Sequence, residues 1–154
     1  MKPLFDFAGN SALGLWMRDS RYAFPAFEML HLLGLGLLLG SVLLLNARFF
    51  GFGMRRQTLV DVVTDFAPWT KLALFMMVIS GIPMFASKAP DLWVNDLTGF
   101  GIKMGLIAVG VVFHYAVQVP LARAENFPRG RVATAASLFF WFGAALAGLS
   151  LEFL

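Results

Sequence analysis

Two histidines, His31 and His114, and no cysteine make up the soft-ligand repertoire of this chain, joined by a carboxylate, Glu28, one helical turn before His31. The missing thiols exclude disulfides, iron–sulfur clusters, thiolate zinc sites and covalently attached c-type haem. Glu28-x-x-His31 places both side chains on one helical face. That pairing suits a metal ligand beside a supporting carboxylate, half of a proton path, or a polar pair that fixes helix packing. A glycine shares a face with each imidazole, Gly34 three residues after His31 and Gly110 four before His114. Such clearance suits a flat macrocycle, and neutral imidazoles facing each other from two helices are the usual axial ligands of b-type haem in a membrane bundle. On that expectation His31 and His114 hold haem b, while Arg21 and Lys103, with Arg18 nearby, neutralise its propionates. The competing expectations are snorkelling for the cations and close helix approach for the glycines, since Gly36-x-x-x-Gly40 has the usual dimerisation spacing. Met76, Met77, Met84 and Met104 are read as packing rather than as thioether ligands.

Two axial ligands of one iron must lie at similar depth. Counted from one side of the membrane, His31 is ten residues beyond Arg21 and His114 eleven beyond Lys103, which at ~1.5 Å per residue agree within about 2 Å. Counted from the other, His31 lies seventeen residues before Arg48 and His114 nine before Arg123, a difference of about 12 Å. The first count is preferred here, because the first span is long enough to project beyond the bilayer at its second end.

The elements that must carry these groups are helices in lipid. Of 154 residues, 59% are hydrophobic and 14% charged, against about 25% charged in ordinary soluble domains. A chain this short cannot hide so much apolar surface in its own interior. The expected fold is an all-α, integral membrane four-helix bundle, one domain over residues 1–154, with spans at about 22–50, 68–87, 101–122 and 132–153. Ser11 to Asp19 reads as a short amphipathic stretch for the headgroup layer. Gln57 to Ala67 reads as a helical approach along the surface, with Pro68 opening the second span and Pro83 kinking it. Trp69 and Lys71 read as interface anchors. Asp6, Asn10, Arg18 and Asp19 interrupt the first twenty residues, so a cleaved signal peptide is not expected. Seven Lys and Arg accompany the first and third loops against five opposite, which puts both termini on the outer side. The net charge of +3 is spread along segment ends rather than clustered, which argues against a nucleic-acid partner.

The stretch Phe24-Pro25-Ala26-Phe27-Glu28-Met29-Leu30-His31-Leu32-Leu33-Gly34, followed by Gly40 and by Asn46-Ala47-Arg48-Phe49-Phe50-Gly51, resembles a family of small bacterial four-span membrane proteins of unknown function. Similar features continue in Trp69, Ser80-Gly81, Phe85, Phe100-x-x-Lys103 and His114, so the resemblance runs from Trp16 to His114. Such relatives usually carry Asp where this chain has Asn46. The resemblance implies the four-span fold, a bacterial inner (cytoplasmic) membrane, and attention to Glu28, His31, Arg48, Lys103 and His114; it implies no activity.

The leading expectation is therefore a b-type cytochrome-like electron-transfer protein with a quinone or redox-protein partner. The alternatives are a proton- or solute-conducting bundle using Glu28, His31 and His114, a non-haem iron, copper or zinc site from the same three residues, and a scaffold subunit. A homo-oligomer or a place in a larger complex is expected, because four spans leave little room for a pore. No side chain pairs as a nucleophile with a base, so hydrolytic chemistry is not expected.

Overall fold

The computed structural model describes residues 2–150. Its regular elements among the described residues are all helices: α1 (Lys2–Gly9), α2 (Ala12–Asp19), α3 (Ala23–Phe49), α4 (Leu59–Asn95), α5 (Leu97–Phe113), a π-helical turn (His114–Gln118), α6 (Val119–Arg123) and α7 (Phe127–Ser150). Four stretches are long and apolar enough to cross a membrane: α3, α4, the run from Leu97 to Arg123, and α7. The all-α, four-span membrane bundle is thus the fold of this chain. The expected end of the fourth span at Phe153 lies outside the described residues.

α3 and α4 form the most extensive pair, α5 packs on α7, and the two pairs join through α3 on α7 and α4 on α6. The buried face of α3 advances by sevens, Gly34 to Ser41 and Leu38 to Leu45, which is the repeat of shallow left-handed packing. Leu38, Val42, Ala73 and Trp141 form a dry layer at mid-depth. Leu45, Phe49, Leu59, Val62, Val63 and Ala122 form a second core at the end where α3 finishes and α4 begins. Arg48, Arg55, Arg56, Arg123, Arg129 and Arg131 gather at this same end, called the basic end below.

Two sequence expectations change. The approach before Pro68 is not a separate surface helix. Thr58 accepts from the Asp61 amide and the Asp61 carboxylate accepts from the Thr58 amide, a capping box that starts α4 at Leu59. The helix then continues through Pro68, Pro83 and Pro90 to Asn95, about 55 Å at ~1.5 Å per residue. The amphipathic stretch after Ser11 does form a helix, but it docks with α1 on the far half of α4. Phe5 of α1 packs among Phe85, Trp93 and Phe100 with ring centroids 5.3, 5.5 and 6.2 Å away. Arg18 donates to the carbonyls of Ser87 and Gly9, so it ties this cap to α4 instead of facing a propionate.

Candidate functional site: a polar ring and cavity at the basic end

The run from Leu97 to Arg123 is regular until Pro120 intervenes. Proline cannot donate to the carbonyl four residues back and its ring collides with that group, so the helix must widen or bend. Here it widens: Val119 donates to the His114 carbonyl, five residues away, across a π-turn. The wide turn sets His114 and Gln118 side by side, both buried, facing α3 and α7.

Gln118 is the hub of a closed ring. Its Nε2 donates to Asn46 Oδ1 at 2.7 Å, Asn46 Nδ2 reaches Ser137 Oγ at 3.4 Å, and Ser137 Oγ donates to Gln118 Oε1 at 2.9 Å. All three residues are at most 2% exposed. Gln118 Oε1 also meets His114 Nδ1 at 3.2 Å. With the amides in this orientation the oxygen can only accept, so Nδ1 carries the proton and Nε2 keeps its lone pair.

His114 also lines a cavity of about 260 Å³ between α3, α4 and the π-turn. Ser41 and Thr70 stand in its wall, each donating its own hydroxyl to a carbonyl four residues back and leaving only lone pairs for a guest. Leu45, Val62, Phe66 and Val119 supply apolar surface, and Lys71, Tyr115 and Arg123 stand at the exposed rim.

His31 belongs to a different station. Ser80 Oγ donates to the Met76 carbonyl at 2.6 Å, so it accepts from His31 Nδ1 at 2.9 Å. The imidazole lies on Gly81, with Cε1 3.4 Å from where a Cβ would stand. Glu28 is half-buried on the same face of α3, within two turns of the helix start. Lys88 lies over the Phe24 ring at 5.1 Å, one turn further out.

The expected haem site does not fit this arrangement. Ser41, beside His114 in the cavity wall, is ten residues beyond His31 on α3, and Thr70 is ten from Ser80 on α4. Both helices therefore place His114 about 15 Å deeper toward the basic end at ~1.5 Å per residue. The count from Arg48 and Arg123 was the informative one. Of the core residues Leu38, Val42, Ala73 and Trp141, Leu38 on α3 and Ala73 on α4 fall between the two levels, and Val42 lies at the level of Ser41. The glycines expected to clear a macrocycle are filled by helices: Gly34 faces Met76, Met77 and the Ala73 carbonyl, and Gly110 faces Phe140 and Trp141. Lys103 runs along α7, its Nζ 3.3 Å from where a Gly148 Cβ would stand, while Arg21 is exposed in the turn before α3. Nor do Glu28, His31 and His114 assemble a metal site: among the described residues no three His, Asp or Glu side chains come together.

Among polar side chains within the spans the sequence points first to the ionisable ones, so Gln118, Ser137 and Thr70 draw no notice there, and Ser80 only within the resemblance. Gln118 was findable: it follows His114 by four residues, inside a span, two before a proline. Comparison with curated proteins and with solved structures gives no match. A family model does match residues 4–154, nearly the whole chain, and on that match the protein belongs to the family of unknown function DUF6644.

Proposed function

We propose that this protein handles protons in the membrane, with His114 as the group that takes up and releases a proton at the basic end. The observation that supports this best is the closed ring of Gln118, Asn46 and Ser137, which commits Nδ1–H of His114 to Gln118 and leaves Nε2 as the basic nitrogen of a residue that lines the cavity. A proton arriving from the cavity adds at Nε2, and both ring nitrogens then donate. Gln118 Oε1 faces the imidazolium without reorienting, so the ring is already arranged for the charged form. His31 on Ser80 is the second station, about 15 Å away, and the apolar packing of Leu38 on Ala73 separates the two in this conformation. A proton crosses the bilayer only when that packing opens. α4 bears Ala73 between Pro68 and Pro83, each of which removes one helix hydrogen bond and loosens the segment.

The test is proton flux in liposomes that hold a pH-sensitive dye, driven by a potassium diffusion potential. The unaltered protein dissipates the gradient, and His114→Ala and His31→Ala each slow it by roughly tenfold or more, as loss of a positioned proton carrier does. Arg21→Gln, outside both stations, leaves the flux unchanged. Flux no faster than in empty liposomes, or undiminished in His114→Ala, overturns the proposal.

A visible spectrum separates this reading from the cytochrome reading. Because the two imidazoles stand at different depths, protein expressed with ample haem should show no stoichiometric bis-imidazole haem in the oxidised or dithionite-reduced state. A reduced spectrum with resolved α and β bands, lost in both His31→Ala and His114→Ala, would falsify the placement of the two histidines and restore haem as the cofactor.

A further inference from the structure

The cavity beside His114 has a feature that proton transfer does not use. Two cations from distant parts of the sequence, Lys71 of α4 and Arg123 at the end of α6, stand at the rim of this one cavity. Among the described residues neither makes a hydrogen bond or an ion pair with a protein group, whereas Arg18, Arg48, Arg55 and Arg131 each donate to a carbonyl. Two cations at the rim of one cavity, with no protein counter-charge, favour an anion there. A guanidinium offers forked donors and an ammonium a point charge, a combination that suits a carboxylate or a phosphate.

We infer that this cavity binds the head of an anionic amphiphile, a carboxylate or phosphate held by Lys71 and Arg123, with its apolar body inside. The interior sets the polarity of the guest. Leu45, Val62, Phe66 and Val119 line it, and the Ser41 and Thr70 hydroxyls are already donated to backbone carbonyls, so no hydroxyl donor greets a second anionic group at depth. The charged end stays at the rim. A volume of about 260 Å³ admits a short alkyl or single-ring body. The site opens at the basic end, where a membrane phospholipid and a free organic anion offer the same chemistry. This inference goes beyond the proton reading and stands on Lys71 and Arg123, so it can survive if the flux assay fails.

The experiment measures binding directly on the full chain. Octanoate is titrated calorimetrically into protein in a neutral detergent. In parallel, native mass spectrometry follows protein released from nanodiscs of phosphatidylcholine and phosphatidylglycerol. Octanoate binding that weakens about tenfold or more in each of Lys71→Gln and Arg123→Gln, the loss expected for one charge-assisted contact, supports the site with a free anion as guest. Arg56→Gln, a cation away from the cavity, controls for general charge. Retained phosphatidylglycerol that falls away in the same two variants supports the site with a lipid as guest. Lys71→Arg, which keeps the charge, retains binding in either arm. Matching melting profiles establish that the variants are folded. Neither ligand binding the unaltered protein, or either binding Lys71→Gln and Arg123→Gln as well as Arg56→Gln, overturns the inference.

Discussion

Gln118→Leu lowers the stability of the bundle by about 2–4 kcal/mol, one of the two largest losses the structure leads us to expect from a single side chain. Leucine fills much the same space, so the loss is not that of a cavity. It comes from three groups stranded together: Asn46 Oδ1 loses its donor, Ser137 Oγ loses its acceptor and His114 Nδ1–H loses the amide oxygen. A buried polar group left unsatisfied costs about 1–3 kcal/mol. Hydrogen bonds between membrane helices average about 0.6 kcal/mol in double-mutant cycles, because the separated helices find other partners. The expected sum lies between these limits. Its sharper consequence is non-additivity. Asn46→Leu combined with Gln118→Leu removes both ends of the 2.7 Å bond and should be less destabilising than the two single changes added together. The readout is unfolding in mixed detergent, followed by tryptophan fluorescence. A cost below about 0.5 kcal/mol for Gln118→Leu, within the range of ordinary surface substitutions, would mean that the ring is not the closed, dry network described above.

The same ring shows where the sequence was readable and where it stopped. Composition and the lengths of the apolar runs gave the all-α bundle and its number of spans, because lipid forces every spanning backbone to satisfy itself as a helix. Gly110 and Gly34 were singled out as clearance for a macrocycle, and what lies against them is a neighbouring helix. A glycine specifies clearance without saying for what. The depth of His114 was present in the sequence as well, in the count from Arg48 and Arg123. It was set aside because the first span looked free to project, whereas that end of α3 is packed against both α4 and α7. The π-turn could not be read, since a single widened turn leaves no periodic trace in so apolar a run. Asn46 drew notice only as a departure from Asp in similar sequences. Its neighbours supply the reason an amide works there: it accepts from Gln118 and reaches toward Ser137 at once, which a carboxylate cannot do while ionised. The α4 capping box was legible as Thr58-x-x-Asp61 and was missed because Pro68 gave the louder start signal.

Gly130→Ala should be comparably damaging, by about 3 kcal/mol, for a steric reason. Gly130 sits in the first turns of α7, buried, where that helix crosses the end of α3. A Cβ added there would overlap the Cδ1–Cε1 edge of the Phe49 ring and crowd its Cζ. Phe49 has nowhere to turn: it is fully buried and packed with Leu45, Leu59, Val62 and Ala122. Overpacking a dense core by one methyl group costs typically about 1–3 kcal/mol, and a site that cannot yield belongs at the upper end. The displaced element would be α7. Ser137 lies seven residues beyond Gly130, two turns along the same face, so a shift there lengthens its bonds to Gln118 and Asn46. The substitution therefore reaches the candidate site without touching it, and proton flux should fall along with stability. Phe49→Leu is the rescue, because it vacates the space that the new methyl group needs. Alone it should destabilise, and in the Gly130→Ala background it should restore part of the lost stability, a coupling measurable as a thermal double-mutant cycle. Strict additivity of the two changes would show that the α3–α7 crossing is looser than the packing around Phe49 requires, and the link from that crossing to the ring would go with it.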